Sequence, residues 1–561
     1  MIFMDFKSLR LIALFLAVVF AGLTGSYAQK KGLRVISEKE LKYNLDFLGS
    51  REFRGRETPS PELEIATLYL GNWAGYTGLK PAMKDGSFYQ EVPLMVTAVF
   101  QPGTRISLSQ GTSDRIYYFG RDFCGSFARS GSYRGEVVFA GMGISNPQSG
   151  WDDLADMDLR DKVVVILDAQ LPGTVFPLGF TMTNRLSSRI NAIRGRGAAA
   201  VLTVVDPERQ KMKEEGQKIF DYIPTGRLQI MYDSRRTDFS SADGSQADRG
   251  QMPPSQNSRP PLPFERAEIS HDLAAQMLGI TREKIAGMFS AVAKGEKVSS
   301  FEVEGVSVKL DVEVEYYPAV SRNVVAMVEG SDPVLRNEYV VICGHHDGRG
   351  IDDGGIIAGA DDNGSACVAL MEIGKALLAE RPKRSVLLVW FTGEEQMMNG
   401  SHYFVNNCPV PLEKITACLN MDMISRNDPD SLFLVGSDLL SSELDASIKK
   451  VNRNYDLDFT FDYLYSNLTH PQQVYFRSDH YPFVRFGIPS VWFFCGFTYD
   501  YHTVRDVPER VDYHKLYRTT RLVYLTTMEV GNMKSLLKLD VNPAVTSRGA
   551  HNLREPSLFG R

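Results

Sequence analysis

Cysteine is scarce in this chain. Six occur in 561 residues, at Cys124, Cys343, Cys367, Cys408, Cys418 and Cys495, and no two form a C-x-x-C pair. That excludes a disulfide-built scaffold and leaves no thiolate zinc knuckle. An excess of basic charge is also missing. Lys and Arg number 62 against 68 Asp and Glu, a net charge of −6, so the footprint of a nucleic-acid-binding protein is absent. Beyond the first 28 residues no apolar run reaches the roughly 18 residues needed to cross a bilayer. No repeat recurs at a fixed period, and no G-x-S-x-G elbow stands at a strand end, which removes the usual serine-hydrolase reading. At 43% hydrophobic residues the chain is not disordered as a whole, and its length predicts two to four domains.

The first 28 residues read as an address. Lys7 and Arg10 precede an apolar run from Leu11 to Leu23. That run makes about 20 Å of helix, short of the roughly 30 Å of a bilayer core. Ser26-Tyr27-Ala28 then supplies a small-x-small cleavage site. The pattern predicts a secretory signal peptide, hence an exported protein, periplasmic or extracellular, with no stable membrane insertion after cleavage.

Further on, Ser37 and Glu40 form an S-x-x-E capping box before Leu41, Leu45 and Leu48, and a second helix is expected from Pro61 to Thr77, stopped by Gly78. Residues 135–144, 161–168 and 198–206 read as short apolar strands, with a helix at 187–198. The stretch 233–264 is rich in Ser, Pro, Asp, Gln and Arg and is expected to be a mobile loop. From 310 to 535 strand and helix alternate. Strands are expected at 338–346, 385–392, 415–423 and 489–497, and a helix at 364–380. Near-continuous apolar strands of this kind are buried on both faces by helices, so the fold class is α/β, a mixed, mostly parallel sheet sandwiched by helices.

Each of those strands delivers acid or imidazole at its carboxyl end, the edge where open α/β sheets bind ligands. His345 and Asp347 end the first, Glu394 and Glu395 follow the second, Asp422 ends the third and His502 follows the fourth. Asp362 is placed at the N-cap of the intervening helix. Singly, such residues are caps or solvated turn residues; jointly, on one edge, they suit two zinc ions. Imidazole and carboxylate are good zinc donors, and one carboxylate can bridge two metals. His345, Asp362, Glu395, Asp422 and His502 make the ligand set. Asp347 is placed to accept the second imidazole N–H of His345, and Glu394 to take a proton from the bridging water.

These residues stand in the segments HHD (345–347), DDNGSA (361–366), GEEQMMNGSHYF (393–404), LNMDMIS (419–425), SDHYPF (478–483) and DYHTVRD (500–506). Here the chain resembles the bacterial leucyl aminopeptidase-like co-catalytic zinc exopeptidases, the aminopeptidase Y family. The resemblance implies Asp362 as the bridging ligand, Glu394 as general acid/base and Asp347 as support for His345. It departs from the family at Ala366, where Gly is usual, and at His346, often Tyr; spacing alone leaves the roles of His345 and His346 interchangeable. It further implies a discontinuous peptidase domain at 36–117 and 300–540. An inserted, mainly β protease-associated domain at 118–290 and a tail at 541–561 complete the expected organisation. The implied activity is removal of N-terminal residues from peptides with a free N-terminus, by a water activated between two Zn(2+) ions. A glutaminyl cyclase-like acyltransferase, a carboxypeptidase or other exopeptidase of the same fold, and a non-enzymatic binding protein are the rival readings.

Overall fold

The computed structural model describes residues 31–550, apart from 128, 148–150, 170, 172–185, 212–228, 233–264, 353–354 and 471. The expected signal peptide, the loop 233–264 and the tail from 551 lie outside the described residues. The chain divides into two compact units. One comprises Met1–Val92, Val320–Gly350 and Ile356–Arg561, the other Pro93–Ala319 and Ile351–Gly355.

The first unit is built on strands β1 (Tyr89–Val99), β2 (Val314–Val328), β3 (Tyr339–His345), β4 (Ser385–Phe391), β5 (Ile415–Met421), β6 (Ser431–Val435), β7 (Thr460–Asp462) and β8 (Ser490–Phe494). They run in the order β1-β2-β4-β3-β5-β8-β6-β7. The central four, β4, β3, β5 and β8, are mutually parallel, whereas β2 and β6 flank them antiparallel. The period of two explains why the central strands are apolar at every position. On β3, Val340 and Ile342 enter one core with Val386, Leu388 and Trp390 of β4. Val341 and Cys343 enter the opposite core with Leu387, Val389 and Phe391.

Helices cover both faces: α1 (Glu38–Leu48), α2 (Pro61–Thr77), α3 (Ser365–Ala379) and α7 (Tyr513–Gly531) on one, α4 (Asn399–Asn406) and α6 (His480–Val484) on the other, with α5 (Ser442–Asn454) beside the edge strands. Local signals set their ends. Ser37 Oγ accepts from the Glu40 N–H at 3.3 Å, but the box closes on this side alone, because the Glu40 carboxylate pairs with Lys375 instead. Ser60 Oγ caps α2 through Leu63 N–H at 3.1 Å, and Gly78, at φ 94°, ends it in the left-handed conformation.

The second unit has its own sheet. Its strands are, in order, Ser113–Tyr118, Arg105–Gln110, Phe301–Val312, Gly131–Phe139, Val163–Asp168, Ala200–Val205, Glu265–Ile269 and Phe123–Cys124. Helices Leu186–Gly195, His271–Leu278 and Arg282–Ala293 accompany it. The two compact units part at Val92/Pro93 and Ala319/Val320, where the sequence reading placed the insert at 118–290. The cause is pairing: Arg105–Gln110 lies antiparallel to Phe301–Val312, which in turn pairs with Gly131–Phe139. Sequence periodicity identifies strands but not their partners.

Two residues of the first unit fasten the loops at the carboxyl edge of its sheet. Arg56 is buried and spends its guanidinium on backbone carbonyls: Nε donates to His346 O at 3.0 Å, Nη1 to Leu48 O at 2.6 Å and Ala358 O at 2.9 Å, and Nη2 to Gly359 O at 2.9 Å. It thereby ties the end of α1 to the segments on either side of the β3–α3 connection. Gly344, the residue before His345, sits where three segments converge. A Cβ there would lie 2.6 Å from the Ala366 methyl and 2.8 Å from Met421 O.

Gly344→Ala is thus expected to overpack the junction of β3, β5 and α3, costing about 1–3 kcal/mol. Arg56→Lys leaves at least one buried carbonyl without a donor and should cost about 1–3 kcal/mol. Thermal unfolding of each variant beside the parent checks both; unchanged transitions would contradict them.

Candidate metal centre

Parallel pairing gathers the site. The register sets His345 opposite Phe391 and Met421 opposite Phe493, so residues just beyond β3, β4, β5 and β8 emerge on one edge. His345 is the last residue of β3, Asp422 follows β5, Glu394 and Glu395 follow β4, and His502 lies in the loop after β8. Asp362 lies in the turn Ala360–Gly364, with φ −106° and ψ 88°. It is not the N-cap of α3, as expected from sequence; Gly364 is. The intervening non-helical residues leave the Asp362 carboxylate clear of the helix end.

All seven sequence-derived residues come together. His345 Nε2 faces Asp362 Oδ1 at 3.3 Å, Asp422 Oδ1 at 3.4 Å and Glu394 Oε2 at 3.7 Å. His502 Nε2 faces Asp362 Oδ2 at 3.1 Å and Glu395 Oε1 at 3.2 Å. The two oxygens of Asp362 therefore address two different imidazoles. His345 Nε2 is buried and makes no well-directed hydrogen bond. Donor atoms around a tetrahedral zinc with bonds of 2.0–2.2 Å stand about 3.3–3.6 Å apart, close to the 3.1–3.7 Å found here. Two groups of candidate ligands result, His345/Glu394/Asp422 and Asp362/Glu395/His502.

The electrostatics also call for cations. Burial works against protonation of His345, but Glu394, Asp422 and the other carboxylates outweigh it and hold the imidazole well above its ordinary value. His502 is raised too, against burial, by Glu395 and Asp362. Burial opposes ionisation of Asp362, yet the two imidazoles hold it well below the carboxylate range. Burial pushes Glu394 well above that range, with Asp422, Asp479 and Glu395 adding to it against His345. The residues present thus fit hard-to-borderline cations.

Two expectations are refined. Asp347 does not support His345 mainly through its carboxylate: Nδ1 donates to the Asp347 backbone carbonyl at 3.1 Å, with the carboxylate at 3.5 Å. The carboxylate instead accepts from the backbone N–H of Glu394 at 3.1 Å and Glu395 at 3.4 Å, joining the ends of β3 and β4. The roles of His345 and His346 are not interchangeable. Alternation turns His346 away, and its ring nitrogens meet Phe391 O and Thr67 Oγ1, each at 2.8 Å.

Several contributors had no assigned part in the sequence reading. Ser478 Oγ donates to Asp422 Oδ2 at 2.6 Å, and Trp492 Nε1 to Asp422 O at 2.9 Å. Asp479, buried and raised to about 7 chiefly by burial, accepts from Ser401 Oγ. Ser478 and Asp479 stand in the SDHYPF segment, so their presence was visible, but their hydrogen-bond partners were not. Beside the acids opens a pocket lined by Met423, Arg477, Trp492, Phe497 and Tyr501 together with Asp362, Glu394, Asp422 and His502. Tyr501 stacks on His502 with ring centroids 3.6 Å apart and accepts from Arg477 Nη2 at 3.2 Å. Along the same stretch of chain, Tyr475, Tyr481 and Phe483 are core residues, whereas Tyr499 is exposed.

Known proteins share this arrangement of the chain. Residues 323–527 match peptidase family M28. The chain is 30% identical over 242 residues to a probable leucine aminopeptidase 2 of Aspergillus oryzae, a match spanning 41% of this chain and 46% of that protein. It is 31% identical over 188 residues to leupeptin-inactivating enzyme 1 of Streptomyces exfoliatus, spanning 32% of this chain and 37% of the other. It therefore matches less than half the length of these two curated relatives. Among solved structures, an aminopeptidase from Aneurinibacillus sp. strain AM-1 superposes with a TM-score of 0.52 at 16% identity, covering 92% of this chain and 98% of that one. BSAP, a zinc aminopeptidase from Bacillus subtilis, gives 0.52 at 15% identity, covering 90% and 99%. At those identities the likeness is one of fold. The segment 323–527, which matches peptidase family M28, holds both imidazoles and all five acids of the centre.

Proposed function

We propose that this protein is an exported, zinc-dependent aminopeptidase that hydrolyses the first peptide bond of peptides with a free N-terminus. The observation that carries the reading is Asp362, whose two oxygens lie 3.3 Å and 3.1 Å from two separate imidazoles, with Glu394 beside them. His345, Asp422 and Asp362 would hold one ion, and Glu395, His502 and Asp362 the other, three protein groups apiece as in catalytic zinc sites. Glu394 stands 3.7 Å from His345 Nε2, farther than Asp362 or Asp422, and is the carboxylate left over for proton transfer.

When bound, the metal pair supplies Lewis acidity, polarising the scissile carbonyl and acidifying a water. The chain's own residues do the rest. Glu394 receives the proton of the attacking water and passes it to the leaving amine. Burial holds the Tyr501 phenol well above its ordinary value, so its hydroxyl stays protonated at the wall of the pocket. Met423, Trp492 and Phe497 offer an apolar wall to the first side chain. The surplus of carboxylates meets the substrate's ammonium group, which favours exopeptidase over internal cleavage. The named relatives, leucine aminopeptidases among them, support the same activity. Export rests on the leader at 1–28, and we read the second unit as the protease-associated domain that the family resemblance implies.

Glu394→Gln should keep both metals and lose about 10²–10⁴ in turnover; near-parental rates would remove Glu394 from the mechanism. Asp362→Ala should lower the metal content measured by elemental analysis, and two ions retained would contradict the bridge. The reading as a whole is tested by counting zinc on the purified protein and assaying matched peptides with free and blocked N-termini. Release of free amino acids from the first set alone is expected. Cyclised glutaminyl products, or release from the carboxyl end, would overturn it.

A further inference from the structure

The turn that carries Asp362 is fastened from two sides, and one of the fasteners is a buried acid for which the mechanism has no use. Asp506 lies in the loop that bears His502 and is 2% exposed. Three successive backbone N–H groups of the Asp362 turn converge on it. Ala360 N donates to the Asp506 carbonyl at 3.3 Å, Asp361 N to Oδ1 at 2.8 Å and Asp362 N to Oδ2 at 3.0 Å. On the other side, the Asp361 carboxylate accepts from Ser425 N at 2.9 Å and Ser425 Oγ at 2.6 Å, just beyond Asp422. Asn363 Nδ2 donates to Met421 O at 3.0 Å. The Asp362 turn is thus bonded to the segment that carries Asp422 and to the loop that carries His502.

A carboxylate that must face two ions at once tolerates little error in the position of its own backbone. Asp362 belongs to neither flanking strand, so the sheet does not place it; hydrogen bonds do. An acid is the side chain suited to this point, because two adjacent N–H donors need two acceptor oxygens. An amide would meet one of them with its own NH₂ group.

We propose that Asp506 is a positioning residue for the bridging carboxylate, setting where Asp362 stands between the two ligand groups and thereby how tightly the second ion is held. The proposal rests on the two-metal reading given above. It assigns Asp506 no contact with substrate or with either ion.

The test uses the full-length protein loaded with zinc, and in parallel with cobalt(II), whose visible bands report ligand geometry. Asp506→Asn should weaken the second zinc about 10–100-fold in chelator competition, the usual cost of losing a partner behind a metal ligand. It should also displace the cobalt bands. A general loosening of the loop would lower the melting temperature but leave the bands in place. Parental zinc affinity together with an unchanged cobalt spectrum would overturn the proposal. Should Asp506→Asn fail to fold, Asp506→Glu keeps both oxygens and the charge but shifts them by one methylene. Weaker second-zinc binding with displaced bands is expected there, and parental behaviour overturns the idea. If the parent protein itself binds no second metal, the two-metal reading falls and takes this proposal with it. A parent that loads two ions and a variant that matches it sinks the positioning role alone.

Discussion

Everything at the carboxyl edge of the sheet answers to one constraint: many carboxylates are crowded together away from water. Asp347, Asp362, Asp422 and Asp479 are buried, and Glu394 and Glu395 nearly so. Like charges at such separations cannot all remain ionised without positive charge among them. Two imidazoles are inserted between the acids and are driven toward their charged form by them. The arrangement is therefore poised for cations, and Asp362 turns one oxygen to each imidazole.

The surrounding structure disposes of the remaining oxygens through backbone and hydroxyl donors. Asp347 takes the N–H groups of Glu394 and Glu395, and Asp422 takes the Ser478 hydroxyl. These bonds hold the two carboxyl groups in fixed directions. Arg56 works from the opposite sense, supplying donors to carbonyls that the irregular loops leave unpaired. Irregular backbone is costly to bury, and here it is buried because the ligands must leave the regular strands to converge. His502 itself stands at φ 56°, a left-handed conformation a histidine keeps where its neighbours fix it, here the stacked Tyr501 ring.

Much of this was legible beforehand. The central strands announced themselves because burial on both faces demands apolar residues at every position, as in Ser385–Phe391. Helix α2 was readable to its ends, since Ser60, Pro61 and Gly78 act locally. Six of the seven residues of the centre were recoverable because they end or follow a strand, and parallel strands share an edge; Asp362 stands instead in the turn before α3. What escaped involved partners distant in sequence. Asp362 looked like a helix cap, since nothing local shows that Gly364 takes that place. Asp347 looked like the acceptor for His345, since spacing does not distinguish its carboxylate from its carbonyl. The strand at 105–110 looked like part of the peptidase, since pairing with 301–312 leaves no mark on either segment.

The sequence by itself determined which residues would be apolar, which would bend the chain, and which acids and imidazoles would stand at strand ends, because these depend on side-chain chemistry and short-range periodicity. Tertiary structure alone decided which oxygen faces which nitrogen, that His346 turns away while His345 turns in, and that Asp506 holds the backbone of Asp362. Those outcomes depend on distances between segments far apart along the chain, which are set by how strands register and helices pack.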